Sequence, residues 1–179
     1  LHGVHFVVQN TMSKECEIHN SVKVTPNSEE HRDIYTRKPC ICVSKGVEND
    51  LRGFLDHKEG IDLRTIHNSI DRNKVAISAS ENPPDVVHDA IIHVGKFKRQ
   101  KRQDRLIRAY HKMECSQPLV FVGQGEFLPH ARALAKELNL YDKIHFLGFK
   151  KNPYPYIKAA RLMVLCSDFE GLPLVLIEA

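Results

Sequence analysis

The sequence has no apolar run approaching the ~20 residues that a helix needs to cross a bilayer. No segment has the basic start, apolar middle and small-residue cleavage site of a secretory signal. Internal repeats and low-complexity tracts are absent, and apolar and charged residues stand at an ordinary 42% and 27%, so disordered and fibrous classes are set aside. The eleven histidines are scattered without metal-ligand spacing. The five cysteines (Cys16, Cys40, Cys42, Cys115 and Cys166) are odd in number and irregular in spacing. Cys40-x-Cys42 is tighter than zinc sites use and places both thiols on one face of a strand. All five read as reduced thiols of a cytosolic protein.

What is present is a mildly basic chain of 179 residues with net charge +4. That length suits one domain or parts of two, and the charge suits an anionic partner such as nucleotide phosphate, nucleic acid or lipid headgroup. The chain starts at Leu1, not Met, and stops at Ala179 inside an apolar run. Both ends read as cut, so a fragment is expected.

Residues 4–8 read as a short buried strand, residues 11–38 as polar and irregular, and residues 40–43 as a second strand. Ser44 is placed to cap a helix with apolar positions Val47, Leu51, Phe54 and Leu55. A third strand ends at Thr65 and Ile66, and His67 reads as a polar strand-end residue. Residues 78–85, with Pro83-Pro84, form the best linker, which predicts one domain over 1–80 and another over 86–179.

Beyond the linker, strands are expected at 90–94, 119–122, 144–147 and 162–166, with helices at 101–113, 127–138 and 153–160 between them. The helix at 101–113 is expected to turn Leu106, Ala109, Tyr110 and Met113 to one side. The helix at 127–138 is expected to turn Phe127, Leu128, Ala131, Leu134, Ala135 and Leu138 inward. Pro173 opens a last helix. Strands and helices alternating at this spacing predict an α/β fold with a parallel, Rossmann-like sheet, and ligands in such sheets sit at the C-terminal strand ends.

Every glycine-bearing loop falls at such an end: Gly95-Lys96, Gly123-Gln-Gly125, Gly148-Phe149 and Asp168-Phe-Glu-Gly-Leu-Pro173. Glycine permits close backbone approach to a ligand, although strand-to-helix turns also need it. Lys96 and Lys101 can neutralise a diphosphate, and a helix opening after Pro173 offers unpaired N–H groups to phosphate. Residues 96–108 hold seven Lys or Arg against one Asp, and most of these read as a solvated helix face. Glu170 and Glu178 bracket Gly171 and Pro173, an arrangement hard to dismiss as surface decoration.

These residues resemble the family 4 retaining glycosyltransferases (glycosyltransferase group 1), of GT-B fold. Ser167-x-x-Glu170-Gly-x-Pro173-x-x-x-x-Glu178-Ala179 is similar to the family's paired-glutamate signature. His93-Val-Gly-Lys-Phe-Lys-Arg-Gln-Lys101 resembles its Val-Gly-Arg…Lys loop, and Phe121-Val-Gly-Gln-Gly-Glu126 its Gly-x-Gly loop. Ile144-His-Phe-Leu-Gly-Phe149 resembles the strand beside the base, and Ile66-His-Asn-Ser-Ile-Asp71 the entry to the C-terminal domain. Ile41-Cys-Val-Ser-Lys-Gly-Val47 resembles the last strand and helix of the N-terminal domain.

The resemblance implies a metal-independent transferase that moves a sugar, with retention, from a nucleotide-sugar to a glycan or lipid-linked glycan. A UDP-sugar is the expected donor and serves as substrate, with no cofactor and no nucleic-acid partner. No Asp-x-Asp metal motif appears. Synthesis of surface polysaccharide or lipopolysaccharide is the expected setting, in the cytoplasm, with peripheral contact to the inner membrane surface left open. Lys96 and Lys101 would bind the diphosphate, Glu170 the donor sugar and Glu178 the ribose. Gly95, Gly123, Gly125, Gly171, Leu172 and Pro173 would line the donor, with Phe149 near the base. Gln9 and Ser44 would lie on the acceptor side.

Three departures stand out: Lys96 where the family favours Arg, Arg102 where Gly is usual, and Gln9 where a His is usual. As a fragment with most of a donor site and almost no acceptor site, the chain alone is expected to show little or no turnover. The alternatives are another GT-B enzyme, such as a sugar-nucleotide epimerase, or a non-catalytic nucleotide- or nucleic-acid-binding module built on residues 96–108. Only Phe97 and Tyr110 accompany those basic residues, which is little for base stacking.

Overall fold

A computed structural model describes residues 6–8, 16–18, 22–24, 29–37, 39–57 and 59–179. The chain divides into two compact units: Leu1–Ser69 with Phe169–Pro173, and Ile70–Asp168 with Leu174–Ala179.

In the first unit, β1 (Phe6–Val8), β4 (Cys40–Cys42) and β5 (Leu63–Thr65) form a parallel sheet in the order β1-β4-β5. β2 (Cys16–Ile18) and β3 (Val22–Val24) pair antiparallel, and α1 spans Glu29–Arg37. The stretch expected to be irregular therefore holds two strands and a helix. Each strand is only three residues long, with a charged residue at its centre, too brief to stand out as an apolar run. α2 (Lys45–Phe54) starts where expected, with Ser44 Oγ accepting the Val47 N–H at 3.2 Å. Val47, Leu51 and Leu55 pack with Tyr35, Cys40, Cys42 and Leu63, and Leu172 lies against this cluster. The thiols of Cys40 and Cys42 are fully buried, and burial pushes both up to about 11, so they stay protonated and inert. The four cysteines with described side chains, Cys40, Cys42, Cys115 and Cys166, are all free.

In the second unit, β6 (Ile91–Val94), β7 (Leu119–Val122), β8 (Ile144–Phe146) and β9 (Leu162–Met163) form a four-stranded sheet in the order β8-β7-β6-β9. Every pairing in it is parallel, with Ile91 opposite both Leu119 and Leu162. The sheet is covered on both faces. Ile91, Leu119, Phe121 and Ile144 meet α4 (Gln103–Met113) and α5 (Leu128–Glu137). Ile92, Val120 and Val122 meet the other layer, with Val87, Tyr156 and Ala160. Two-sided burial is why β7 reads as a continuous apolar run, whereas His93 and His145 interrupt the apolar residues of β6 and β8. α3 (Arg72–Ser78) packs on α6 (Tyr154–Ala159), and Asn152 Nδ2 donates to Ser78 O at 2.7 Å. That contact draws α3 into the second unit, so the division falls at Ser69/Ile70, ahead of the linker expected at 78–85. α7 (Leu174–Glu178) is the last element.

The inward stripe of α4 is Gln103, Leu106, Ile107 and Tyr110, while Ala109 and Met113 are exposed. A buried glutamine starts the stripe, so apolar spacing alone sets the wrong phase. β9 is also shorter than the apolar run 162–166, although Val164 N still donates to Ile92 O at 2.8 Å.

Candidate functional site

The loops after β6, β7 and β8 are stitched together by their backbones. Gly95 N donates to Val122 O at 2.9 Å, Phe97 N to Gln124 O at 3.0 Å and Gly123 N to Gly148 O at 2.8 Å. Gly123 and Gly125 have φ values of +146° and +156°. A Cβ on Gly123 would lie 2.0 Å from Gly95 O, and one on Gly125 2.3 Å from Phe97 O. Backbone packing between loops is thus what demands both glycines, beside any role toward a ligand.

Phe97 anchors this platform. It stands between Lys96 and Lys98, yet is only 1% exposed, with its ring 5.6 Å from that of Phe121. Phe121 in turn stacks on Phe146 at 5.3 Å. The basic loop therefore hangs from an aromatic plug, and Lys96 stays on the exposed side.

A buried polar pair fixes the same loop. His93 Nδ1 lies 2.9 Å from Val164 O, which can only accept, so that nitrogen carries the proton. His93 Nε2 then accepts from Gln103 Nε2 at 3.2 Å, and the same amide donates to Lys96 O at 3.1 Å. Gln103 and His93 are 3% and 0% exposed, and these bonds are what allow them inside.

Lys101 ends a single 3-10 turn, Arg99–Lys101. Arg102 follows in the left-handed region at φ 49°, which explains why glycine suits this position and why Arg102 stands out. Its guanidinium reaches Asp104 at 3.1 Å and Asp168 at 3.1 Å. The Arg102 hydrogen bond holds the Asp104 carboxyl below its usual range. A cleft of about 330 Å³ opens beside the turn, with Arg99, Arg102, Phe127, His130 and Asp168 among its lining residues.

Phe149 is 65% exposed beside the platform. Glu178 is half-buried, and Tyr154 Oη donates to its Oε1 at 3.1 Å. Burial, then that carboxylate, raises the Tyr154 phenol above its ordinary value. α7 has only five residues, a brief helix to follow Pro173. Glu170, Gly171, Leu172 and Pro173 are half-buried and group with the first unit, whereas Lys96, Lys101 and Glu178 group with the second. Ser167 Oγ is buried without a hydrogen-bond partner among the described residues. Ser44 spends its hydroxyl on the α2 cap. His67 Nδ1 lies 3.0 Å from Val43 O. Gln9 lies outside the described residues. Among the described residues no group of His, Cys, Asp and Glu could hold a metal ion.

Phe97, His93, Gln103 and Asp168 were not singled out as site residues from sequence. A lone apolar residue inside a basic run was the only signal for Phe97. His93 and Asp168 depend on partners more than sixty residues away, and Gln103 on His93 and the Lys96 carbonyl, which the loop after β6 folds back onto it.

Residues 78–179 match the family described as Glycosyl transferases group 1. The chain is 36% identical over 114 residues to the N-acetylgalactosamine-N,N'-diacetylbacillosaminyl-diphospho-undecaprenol 4-alpha-N-acetylgalactosaminyltransferase of Campylobacter jejuni, covering 64% of this chain and 31% of that protein. It is 26% identical over 147 residues to the lipopolysaccharide 1,6-galactosyltransferase of Escherichia coli, covering 78% and 39%. Its fold is similar to a crystal structure of a TarM variant of S. aureus in complex with fondaparinux, alpha-GlcNAc-glycerol and UDP. That match has a TM-score of 0.73 at 18% identity and covers 98% of this chain and 34% of TarM. The chain thus spans between 31% and 39% of the length of these proteins. The architecture is GT-B, and the chain belongs to the group 1 glycosyltransferase family.

Proposed function

We propose that this chain carries the donor-binding part of a retaining glycosyltransferase. It moves a sugar from a nucleotide-sugar, most simply a UDP-sugar, to a hydroxyl of a glycan or lipid-linked glycan. The observation that carries this reading is the lysine loop after β6, locked to the glycine loop after β7 within the family-matched residues 78–179. In this reading Lys96 and Lys101 neutralise the donor diphosphate as it leaves. Charge develops there in the transition state, so fixed cations lower the barrier without classical acid–base work. The departing phosphate oxygen accepts the acceptor hydroxyl's proton. Glu178 holds the ribose, and Glu170 with residues 171–173 contacts the sugar. Gly95, Gly123 and Gly125 let the donor approach the backbone, Phe149 lies by the base, and Ser44, its hydroxyl engaged by the α2 cap, belongs to the acceptor side.

The setting we propose is cytoplasmic synthesis of surface polysaccharide or lipopolysaccharide, by analogy with the Campylobacter jejuni and Escherichia coli relatives. Peripheral membrane contact would bring the enzyme to a lipid-linked acceptor. No described helix is long and apolar enough to cross a membrane. A nucleic-acid module is less well supported, because Arg102 and Arg105 in the basic run are engaged by Asp104 and Asp168. Calorimetric titration with UDP, GDP and ADP tests the reading. One of them should bind, and Glu178→Ala should weaken it about tenfold, as loss of a hydrogen-bonded carboxylate implies. Binding of none, with no effect of Glu178→Ala, would sink it.

A further inference from the structure

The turn that carries Lys101 is held by one short segment from the other end of the unit. Asp168 N donates to Gln100 O at 2.9 Å. The single Cys166 S–H is shared between Arg102 O at 3.1 Å and Lys101 O at 3.4 Å. Three consecutive carbonyls, those before, at and after Lys101, therefore face two donors, the Asp168 N–H and the Cys166 S–H. Burial raises the Cys166 thiol, which keeps it a donor.

Side chains close the arrangement from the opposite direction. Arg105 Nη1 donates to Cys166 O at 3.1 Å, and Arg105 Nη2 to Asp168 Oδ1 at 2.6 Å. Arg102 Nη1 donates to both Asp168 oxygens, at 3.1 and 3.3 Å. An isolated surface ion pair contributes little. Here one carboxylate is shared by two arginines on either side of Gln103 and Asp104, and its own N–H holds the turn. Arg102 also needs the help, since it occupies a left-handed conformation that side chains resist.

We propose that Asp168 is the positioning residue of the lysine loop. Its carboxylate, gripped by Arg102 and Arg105, fixes the backbone that carries Lys101, and so fixes where that ammonium meets the donor diphosphate. This rests on the donor reading given above. Asp168 itself does not touch the donor. The effect passes through Lys101, so it belongs to the diphosphate and not to the nucleoside.

The test is calorimetric binding of UDP and of UMP to the full chain, wild type and Asp168→Asn, at about 0.3 M salt. There the positive charge uncovered by the substitution is screened within roughly 6 Å. Asp168→Asn should weaken UDP about fivefold to tenfold while changing UMP less than about twofold, and Asp168→Glu should recover most of the loss. If the wild type prefers GDP or ADP, the same comparison uses that base. Equal UDP binding by wild type and Asp168→Asn, or equal weakening of UDP and UMP, overturns the proposal and leaves the donor reading standing. If the wild type binds none of the three diphosphates, the donor reading falls and takes this proposal with it. Should Asp168→Asn lack a cooperative unfolding transition, Arg105→Gln removes one grip instead, and the same split between UDP and UMP decides.

Discussion

Glu48 sits almost wholly buried on α2 and is stabilised by its neighbours. Lys45 Nζ donates to it at 2.8 Å, Thr65 Oγ1 at 2.6 Å and Arg52 Nη2 at 3.0 Å. The Lys45 bond first, then the Thr65 bond, brings its carboxyl from 4.5 down to about 2. A carboxylate depressed on folding contributes stability that is full above the unfolded value and drains away as pH falls through the folded one. The first unit should therefore lose on the order of 2 kcal/mol between about pH 4.5 and pH 2, less than the full shift because solvent screens Lys45 and Arg52. Denaturant unfolding of wild type and Glu48→Gln checks this: the wild type's advantage should vanish by about pH 2. Phe97→Ala should cost about 3–5 kcal/mol by emptying a packed site, and it should also weaken nucleotide binding because Lys96 loses its anchor. A thermal melt and a titration report the two effects separately.

Among the elements, the loop after β7 is the most constrained. Gly123→Ala would drive a methyl into Gly95 O, a backbone atom with nowhere to go. The expected loss is about 3 kcal/mol or more, read as a lowered melting temperature. Gln124→Ala leaves the backbone alone and should melt as wild type does. β7 was legible because both faces are buried and its apolar run is unbroken, and β6 because three of its four residues are apolar around the buried His93. The Ser44 cap was legible because a capping serine acts on its own next turn. The inward face of α4 was not, because Gln103 is inside only by virtue of His93 and the Lys96 carbonyl. Asp168 was not, because its partners lie more than sixty residues earlier in the chain. Local signals and two-sided burial are written in short windows, whereas polar networks are written only in the fold.

At the scale of the whole molecule, the chain is two α/β units. The glycine spacing and paired glutamates were readable in one dimension, and the family match over residues 78–179 bears out the family they pointed to. What remains is whether the two lysines meet a diphosphate. The direct measurement is calorimetric titration of UDP against wild type and the double variant Lys96→Ala/Lys101→Ala, at two salt concentrations. The variant should bind at least about tenfold more weakly and with a flatter salt dependence, since two phosphate-facing charges are gone. Equal affinity and equal salt dependence in the two proteins would contradict it.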